Sequence, residues 1–242
     1  MINFNKSLSI ISRIIKNAFC IIILTLFVSC NDNIQPNNPS PIYLGMADNF
    51  AVLAGSAITS TGPTNIVGDV GLSSGSSIGG FPPGSIVGNI YISDPTSVSA
   101  KNDLTNAYND AAGRTVNPIS LAGNIGGQTL YAGLYKSTSS LSISSGDLTL
   151  DANGDSNSIF IFQIASTLTT TSGRKIILAG NANPNNIFWQ VGTSATLGST
   201  SIFYGTIMAN EAITMQTGAT LTGRTLARIA AVSLDSNVIV IP

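Results

Sequence analysis

The chain contains no histidine, and its two cysteines, Cys20 and Cys30, both lie within the first thirty of 242 residues. Beyond residue 30 there is neither imidazole nor thiol. That excludes histidine-based triads, cysteine nucleophiles, Cys/His zinc sites and any disulfide from the remainder of the chain. Charge is scarce as well. Asp, Glu, Lys and Arg together make up 9% of the residues, where about a quarter is usual. A nucleic-acid partner would need a basic stripe to displace counterions from phosphate, and there is none. The surface must therefore be clothed mainly in Ser, Thr, Asn and Gly. Hydrophobic content is an ordinary 43%, and the length is enough to bury one sizeable core. No cofactor is expected.

The N-terminus has its own logic. Lys6, Arg13 and Lys16 precede an apolar run from Ala18 to Val28, with no acid before Asp32. Charge followed by a short apolar run is the layout of a secretory signal, and the run is too short to span a bilayer. Residues 1–30 are thus expected to direct export. The run closes on "FVSC", which resembles a bacterial lipoprotein signal with Cys30 as the acylated residue. Two fates remain open: release outside the cell, or attachment to the outer membrane through lipid on Cys30. Cleavage at Cys30 removes three bases and no acid, leaving 7 basic against 11 acidic residues and a net charge of about −4. The stretch "NDNIQPNNPSP" that follows is polar and proline-rich, with little to bury. It reads as a flexible tether over 31–42, with one domain over 43–242.

In that domain, apolar runs of four to eight residues rich in Ile, Val, Phe and Thr are closed by Gly, Asn, Asp or Ser. Examples are "FAVLAG", "GNIYIS", "SIFIFQIAS", "NIFWQVG" and "SIFYGTIMA". These predict strands joined by turns, hence an all-β fold. One interval differs. In "DPTSVSAKNDLTNAYNDAAGR" (94–114), Val98, Leu104, Ala107, Tyr108 and Ala111 stand close to helical spacing, with Pro95 suited to a first turn and Gly113 to a stop. The spacing predicts one amphipathic helix docked on the β body. A repeat is also visible: "FQIASTLTT" (162–170) overlays "WQVGTSATL" (189–197), setting Phe162 on Trp189, Gln163 on Gln190 and Thr169 on Thr196. An offset of 27 residues suits one coil of a solenoid, so a parallel β-helix is expected.

Quartets of hydroxyl-bearing and very small residues recur: "TGPT" (61–64), "SGSS" (74–77), "TSAT" (193–196) and "TGAT" (217–220). Stacked on successive coils they would form a flat grid. Threonine suits such a grid because its β-branch leaves few χ1 rotamers, so its side chain is largely ordered already by folding. Such a surface neither strips water away nor grips it as a charge does, and it can hold water in a regular arrangement.

Other chemistry is poorly supplied. In "DANGDSN" (151–157) Asp151, Asn153 and Asp155 alternate as in a calcium loop, but Ser156 and Phe162 stand where an EF-hand needs Gly and Glu. Asp69, Asp147 and Asp235 each lie near a Gly or a strand end and read as turn formers. Polysaccharide-cleaving β-helices cluster carboxylates with basic residues. Here Arg174-Lys175 and Arg224 with Arg228 have no acid beside them in sequence, and no enzyme is expected.

Segments 50–84, 103–114, 142–170 and 186–239 together resemble the microbial ice-binding protein family of sea-ice bacteria, fungi and diatoms. The resemblance implies a right-handed, discontinuous β-helix of triangular section with a helix along one side. It also implies an ice-binding face carrying Thr-(Ala/Gly)-X-(Thr/Asn) quartets. Thr61-Gly62-Pro63-Thr64 and Thr217-Gly218-Ala219-Thr220 match that pattern. Thr193-Ser194-Ala195-Thr196 departs at its second place, and Ser74-Gly75-Ser76-Ser77 replaces threonine by serine. The implied ice-facing set is therefore Thr61, Thr64, Ser74, Ser77, Thr169, Thr193, Thr196, Thr217, Ala219 and Thr220. The implied activity is adsorption to ice, with thermal hysteresis and inhibition of recrystallisation, by a monomer whose partner is ordered water. The competing expectation is a secreted or surface-attached glycan-binding, adhesive module.

Overall fold

The computed structural model describes residues 38–242. The export signal, Cys30 and most of the expected tether lie outside the described residues. The described end of the tether, residues 38–42, contacts the body. Asn38 Oδ1 accepts a hydrogen bond from Ile159 N at 2.7 Å. The Arg114 guanidinium donates to the carbonyls of Ser40 and Pro41, and Ile42 is buried. Residues 38–42 are thus held against the β body by contacts that their own polar composition did not reveal.

Strand pairing is parallel throughout, and successive coils stack into a β-helix with three faces. The overlay read from the sequence is a true coil register: Phe162 pairs with Trp189 and Gln163 with Gln190, and Thr169 pairs with Thr196. That 27-residue coil does not persist. Further along the axis Thr196 pairs with Thr214 and Ile202 with Thr220, each only 18 residues away. The shortening arises because Ile202–Ala209 and Thr220–Ala227 are eight-residue strands that serve two faces at once. Each bends at a glycine, Gly205 (φ +102°) and Gly223 (φ +155°), which pair with each other. A Cβ at Gly205 would lie 2.6 Å from the Ile187 carbonyl oxygen, and one at Gly223 would strike the Gly205 carbonyl, so only glycine fits these corners.

The chain order along the axis is interrupted. Ala57–Thr61, early in the sequence, pairs with Val232–Asp235 near its end, and Val238–Val240 pairs with Asn65–Val67. The first coils therefore cap the last ones, and the chain must cross the body to begin its main climb at Ile119–Ser120 and Gly123–Asn124. The helix Pro95–Gly113 makes that crossing. Its 19 residues span about 28 Å at 1.5 Å each, roughly six strand spacings. Asp94 starts it: its Oδ1 accepts from Ser97 N at 2.8 Å while Ser97 Oγ accepts from Asp94 N at 3.1 Å. Gln163 Nε2 ends it by donating to the Ala111 and Arg114 carbonyls, both at 2.8 Å.

The buried stripe of the helix is Ala100, Leu104, Ala107, Tyr108 and Ala111, packed on Leu53, Leu226, Met208, Phe188, Ile161 and Leu134. Val98, assigned to this stripe from its spacing, is 44% exposed, and Ser97 and Ala100 take the buried positions of the first turn instead. Lys101 adds a polar clamp. Its Nζ donates to the carbonyls of Ala227 (2.5 Å) and Arg228 (2.6 Å). Burial, with a smaller contribution from nearby Arg228, pushes its pKa down to about 8. Arg228 itself lies over the Tyr108 ring, 4.5 Å from its centroid. Within the coils an aromatic stack runs along the axis: Tyr135 on Phe162 with centroids 5.2 Å apart, and Phe162 on Trp189 at 3.9 Å. Trp189 in turn meets Phe203 at 5.1 Å. Among the described residues no helix is long and apolar enough to cross a membrane.

Candidate ice-facing surface

One face of the β-helix is a single sheet of eight strands, ordered Ser77–Gly79, Ala57–Thr61, Val232–Asp235, Ile213–Met215, Ala195–Leu197, Leu168–Thr170, Leu141–Ile143 and Gly123–Asn124. Most of these strands are three or four residues long, so each offers its centre to one side and its ends to the other. The ends turn inward as Ile58, Val232, Ile213, Ala195, Leu168 and Leu141, all buried in the core. The centres turn outward. In register they form a central column: Gly79, Thr59, Ser233, Thr214, Thr196, Thr169, Ser142 and Asn124. Four threonines and two serines thus repeat at the strand spacing of about 4.8 Å.

Two further columns flank it. On the side where the strands begin, Ala57 pairs with Ser77. Backbone bonds continue this column: Ile213 N to Ala231 O, Ala195 N to Ala212 O, Leu168 N to Ser194 O and Leu141 N to Thr167 O. Thr167 Oγ1 also donates to Ser140 Oγ at 2.8 Å. On the side where the strands end, Thr61 pairs with Asp235. Gly218 N donates to Asp235 O, Thr200 N to Thr217 O and Gly173 N to Ser199 O, aligning Thr61, Asp235, Thr217 and Ser199. Along Ala57–Thr61 and Val232–Asp235 the columns lie about 6.4–6.8 Å apart, the span of alternate residues on a strand, whereas Thr217 and Ser199 stand three residues beyond Thr214 and Thr196, in the turns that follow their strands. Nothing in the three columns is larger than threonine, aspartate or asparagine, though exposed Gln216 lies beside Thr217 at the edge of the face. Thr–Thr and Thr–Ser pairs across neighbouring strands support the sheet.

Of the residues singled out from the sequence, this face unites Thr169 and Thr196 in the central column, Thr61 and Thr217 in the third, and Ser77 in the first. The other five lie elsewhere. Thr64 is 1% exposed and accepts from Ser60 Oγ (2.7 Å) and Asn237 N (3.1 Å) at an interior corner. Ala219 is fully buried. Thr220 opens the strand Thr220–Ala227 between Ile202 and Val238, on the next face. The cause is common to both matching quartets: Gly62 and Gly218 each have φ +72°, the left-handed geometry of a tight corner. A quartet therefore straddles an edge of the triangle instead of lying along one side. Thr193 precedes its strand with its hydroxyl buried and unpartnered, and Ser74 sits in an exposed turn outside the sheet.

Sequence reasoning missed Thr59, Thr214, Ser233, Ser142 and Asn124. One signal was available. Ser142 lies 27 residues before Thr169, so a second application of the same offset reaches it.

Ionisable chemistry is concentrated away from this surface. Arg224 pairs with Asp48 at 2.8 Å, and Arg174 approaches Asp147 at 3.8 Å. The fold thus supplies acids that were absent beside these bases in the sequence. Tyr135 is buried and pushed up to about 12. Asp151 and Asp155 accept from the backbone N–H of Asn153 (2.8 Å) and Asn157 (2.9 Å), closing the turns expected there. Among the described residues no three His, Cys, Asp or Glu side chains converge as metal ligands.

Comparison with known proteins agrees with this geometry. The model of the ice-binding-like family matches residues 52–240. An ice-binding protein of Nostoc sp. (strain HG1) is 42% identical over 217 residues, covering 89% of this chain and 80% of its own length. One from Flavobacterium frigoris (strain PS1) is 40% identical, covering 86% and 82%. Among solved structures, an ice-binding protein from an Antarctic biological consortium superimposes with a TM-score of 0.84 at 58% identity, covering 85% of this chain and 93% of its own. The ice-binding protein of an Arctic yeast superimposes with a TM-score of 0.78 at 38% identity, covering 84% and 94%. With a family model spanning most of the body and relatives matched along about four fifths of their length, this chain belongs to the ice-binding-like family.

Proposed function

We propose that the chain adsorbs to ice through its eight-stranded face and thereby lowers the freezing point and slows recrystallisation. The observation that carries this reading is the central column: seven hydroxyl or amide side chains, Thr59, Ser233, Thr214, Thr196, Thr169, Ser142 and Asn124, in unbroken register and without a charge. Water bound along a two-dimensional array of fixed donors and acceptors is held in a lattice before ice arrives. Threonine methyls between the hydroxyls favour release of the looser water. When a crystal grows up to the array, the bound layer merges with it and the protein becomes fixed. Ice can then advance only by bulging between adsorbed molecules, and curved ice melts more readily than flat ice. Growth stops over an interval below the melting point. The similar proteins of Nostoc and Flavobacterium frigoris, each named an ice-binding protein, support the same reading.

The remaining parts of the proposal concern the whole chain. Residues 1–30 direct export, and Cys30 carries lipid where the chain is retained at the outer membrane. The protein acts as a monomer and without catalysis. Slow freezing of a solution tests the core of the proposal: the protein is expected to enter the growing ice, with a non-binding protein of similar size left behind in the liquid. A glycan-binding adhesin would stay in the liquid, and that result would overturn the proposal.

A further inference from the structure

Asp235 stands in the third column of the flat face, between Thr61 and Thr217. It is the one ionisable side chain among the three columns. A bare carboxylate would order water radially about itself, against any lattice imposed by its neighbours. Here the protein supplies the solvation. Thr217 Oγ1 donates to Oδ2, Ser236 Oγ donates to Oδ1 at 3.2 Å, and Thr61 stands on the neighbouring rung. The backbone beneath is fixed as well: Asp235 N donates to Asn237 Oδ1 at 2.7 Å. Asn237, fully buried, anchors itself on the Gln216 and Ala219 carbonyls at 2.9 and 3.0 Å.

Resting on the ice-binding reading above, we propose that Asp235 is a positioning residue of that face. Its carboxylate holds the hydroxyl hydrogen of Thr217 turned toward it, so that these two neighbouring rungs meet water with acceptor lone pairs and a methyl group in one fixed arrangement. Free hydroxyl rotors would have to be ordered at the moment of adsorption, and this row is ordered beforehand. The hydroxyl of Thr217, and to a lesser degree those of Ser236 and Thr61, hold the carboxyl below its ordinary value of 3.8, so the lock persists across the neutral range. No other titratable group is among the causes acting on it.

Three variants of the full chain test the proposal, each checked for an unchanged circular dichroism spectrum: Asp235→Ala, Asp235→Asn and, as a reference within the face, Thr214→Tyr. Asp235→Ala is expected to lower thermal hysteresis by roughly two- to fivefold, the scale of losing one hydrogen bond of ordinary net strength at an exposed site. Asp235→Asn is expected to lower it as well, because its amide donates to one threonine and reverses that hydroxyl. Independently of ice, the carboxyl carbon of Asp235 followed by NMR is expected to titrate at higher pH in Thr217→Val. Undiminished hysteresis in both Asp235 variants, or an unmoved titration in Thr217→Val, would overturn the positioning role. If Thr214→Tyr abolishes hysteresis while the Asp235 variants do not lower it, only the positioning role fails. If Thr214→Tyr retains full hysteresis, the reading of the face fails and this proposal falls with it.

Discussion

Thr214→Tyr is expected to reduce thermal hysteresis roughly tenfold at equal concentration, the scale seen when a central hot spot of an interface is disrupted. Thr214 occupies the middle of the central column, with Ser233 on one side and Thr196 on the other. A phenol ring there stands above every neighbouring side chain. It holds a flat crystal off the adjacent rungs as well as off its own, so one substitution removes many weak contacts together. Stability should be nearly unaffected, because a surface substitution of this kind changes it by about 0.5 kcal/mol or less. The matched control is Thr149→Tyr. Thr149 lies on the outward side of Leu148–Asp151, in the separate three-stranded sheet of another face. That variant is expected to keep full hysteresis. Equal losses in the two variants would assign the activity to no particular face.

The second large effect separates the core from the surface. Trp189 is fully buried, stacked on Phe162 at 3.9 Å and donating from Nε1 to the Tyr204 carbonyl at 3.0 Å. Trp189→Ala removes the largest fully buried side chain of the stack and leaves a cavity in its place. The expected cost is about 3–5 kcal/mol, which lowers Tm by roughly 10 °C in a body of this size. Trp189→Phe keeps the ring but orphans the carbonyl of Tyr204, costing about 1–3 kcal/mol. Both are read by thermal unfolding. Hysteresis is measured near the melting point of ice, where a destabilised body is still folded. It is therefore expected to change little in either variant, since the backbone ladder of the flat face lies on a different side of the coil. A loss of hysteresis as large as that of Thr214→Tyr would mean that the aromatic stack sets the shape of the face.

What was legible in the sequence follows from what repeats at close range. Phe162-Gln163 and Trp189-Gln190 lie one coil apart with similar neighbours, so their offset could be read directly, and the strand ladder obeys it. The helix was legible through Pro95, Gly113 and the stripe from Leu104 to Ala111, because capping and periodicity are local. The quartets were legible too, but their meaning is conformational. Gly62 and Gly218 sit second in them because a left-handed residue turns the chain from one face to the next, which sends Thr64 and Ala219 inward and Thr220 around the corner. The face itself is assembled from residues 18 to 27 positions apart, and at one rung 174 apart, whose sequence neighbours differ. Thr59 in "AITST" and Ser233 in "VSLD" share nothing except their rung. Their meeting depends on the closure of the first coils onto the last, a contact between distant parts of the chain with no local mark.

The eight-stranded face, and no other, is expected to lie against ice. The most direct measurement is solid-state NMR of protein with labelled threonine methyls, frozen with ice and read for magnetisation transfer from ice protons. Transfer is predicted to the methyls of Thr59, Thr169, Thr196 and Thr214, and to be absent at Thr149 and at Thr105 on the helix. Equal transfer to Thr149 and Thr105, or none to the four threonines of the central column, would show that ice meets another surface.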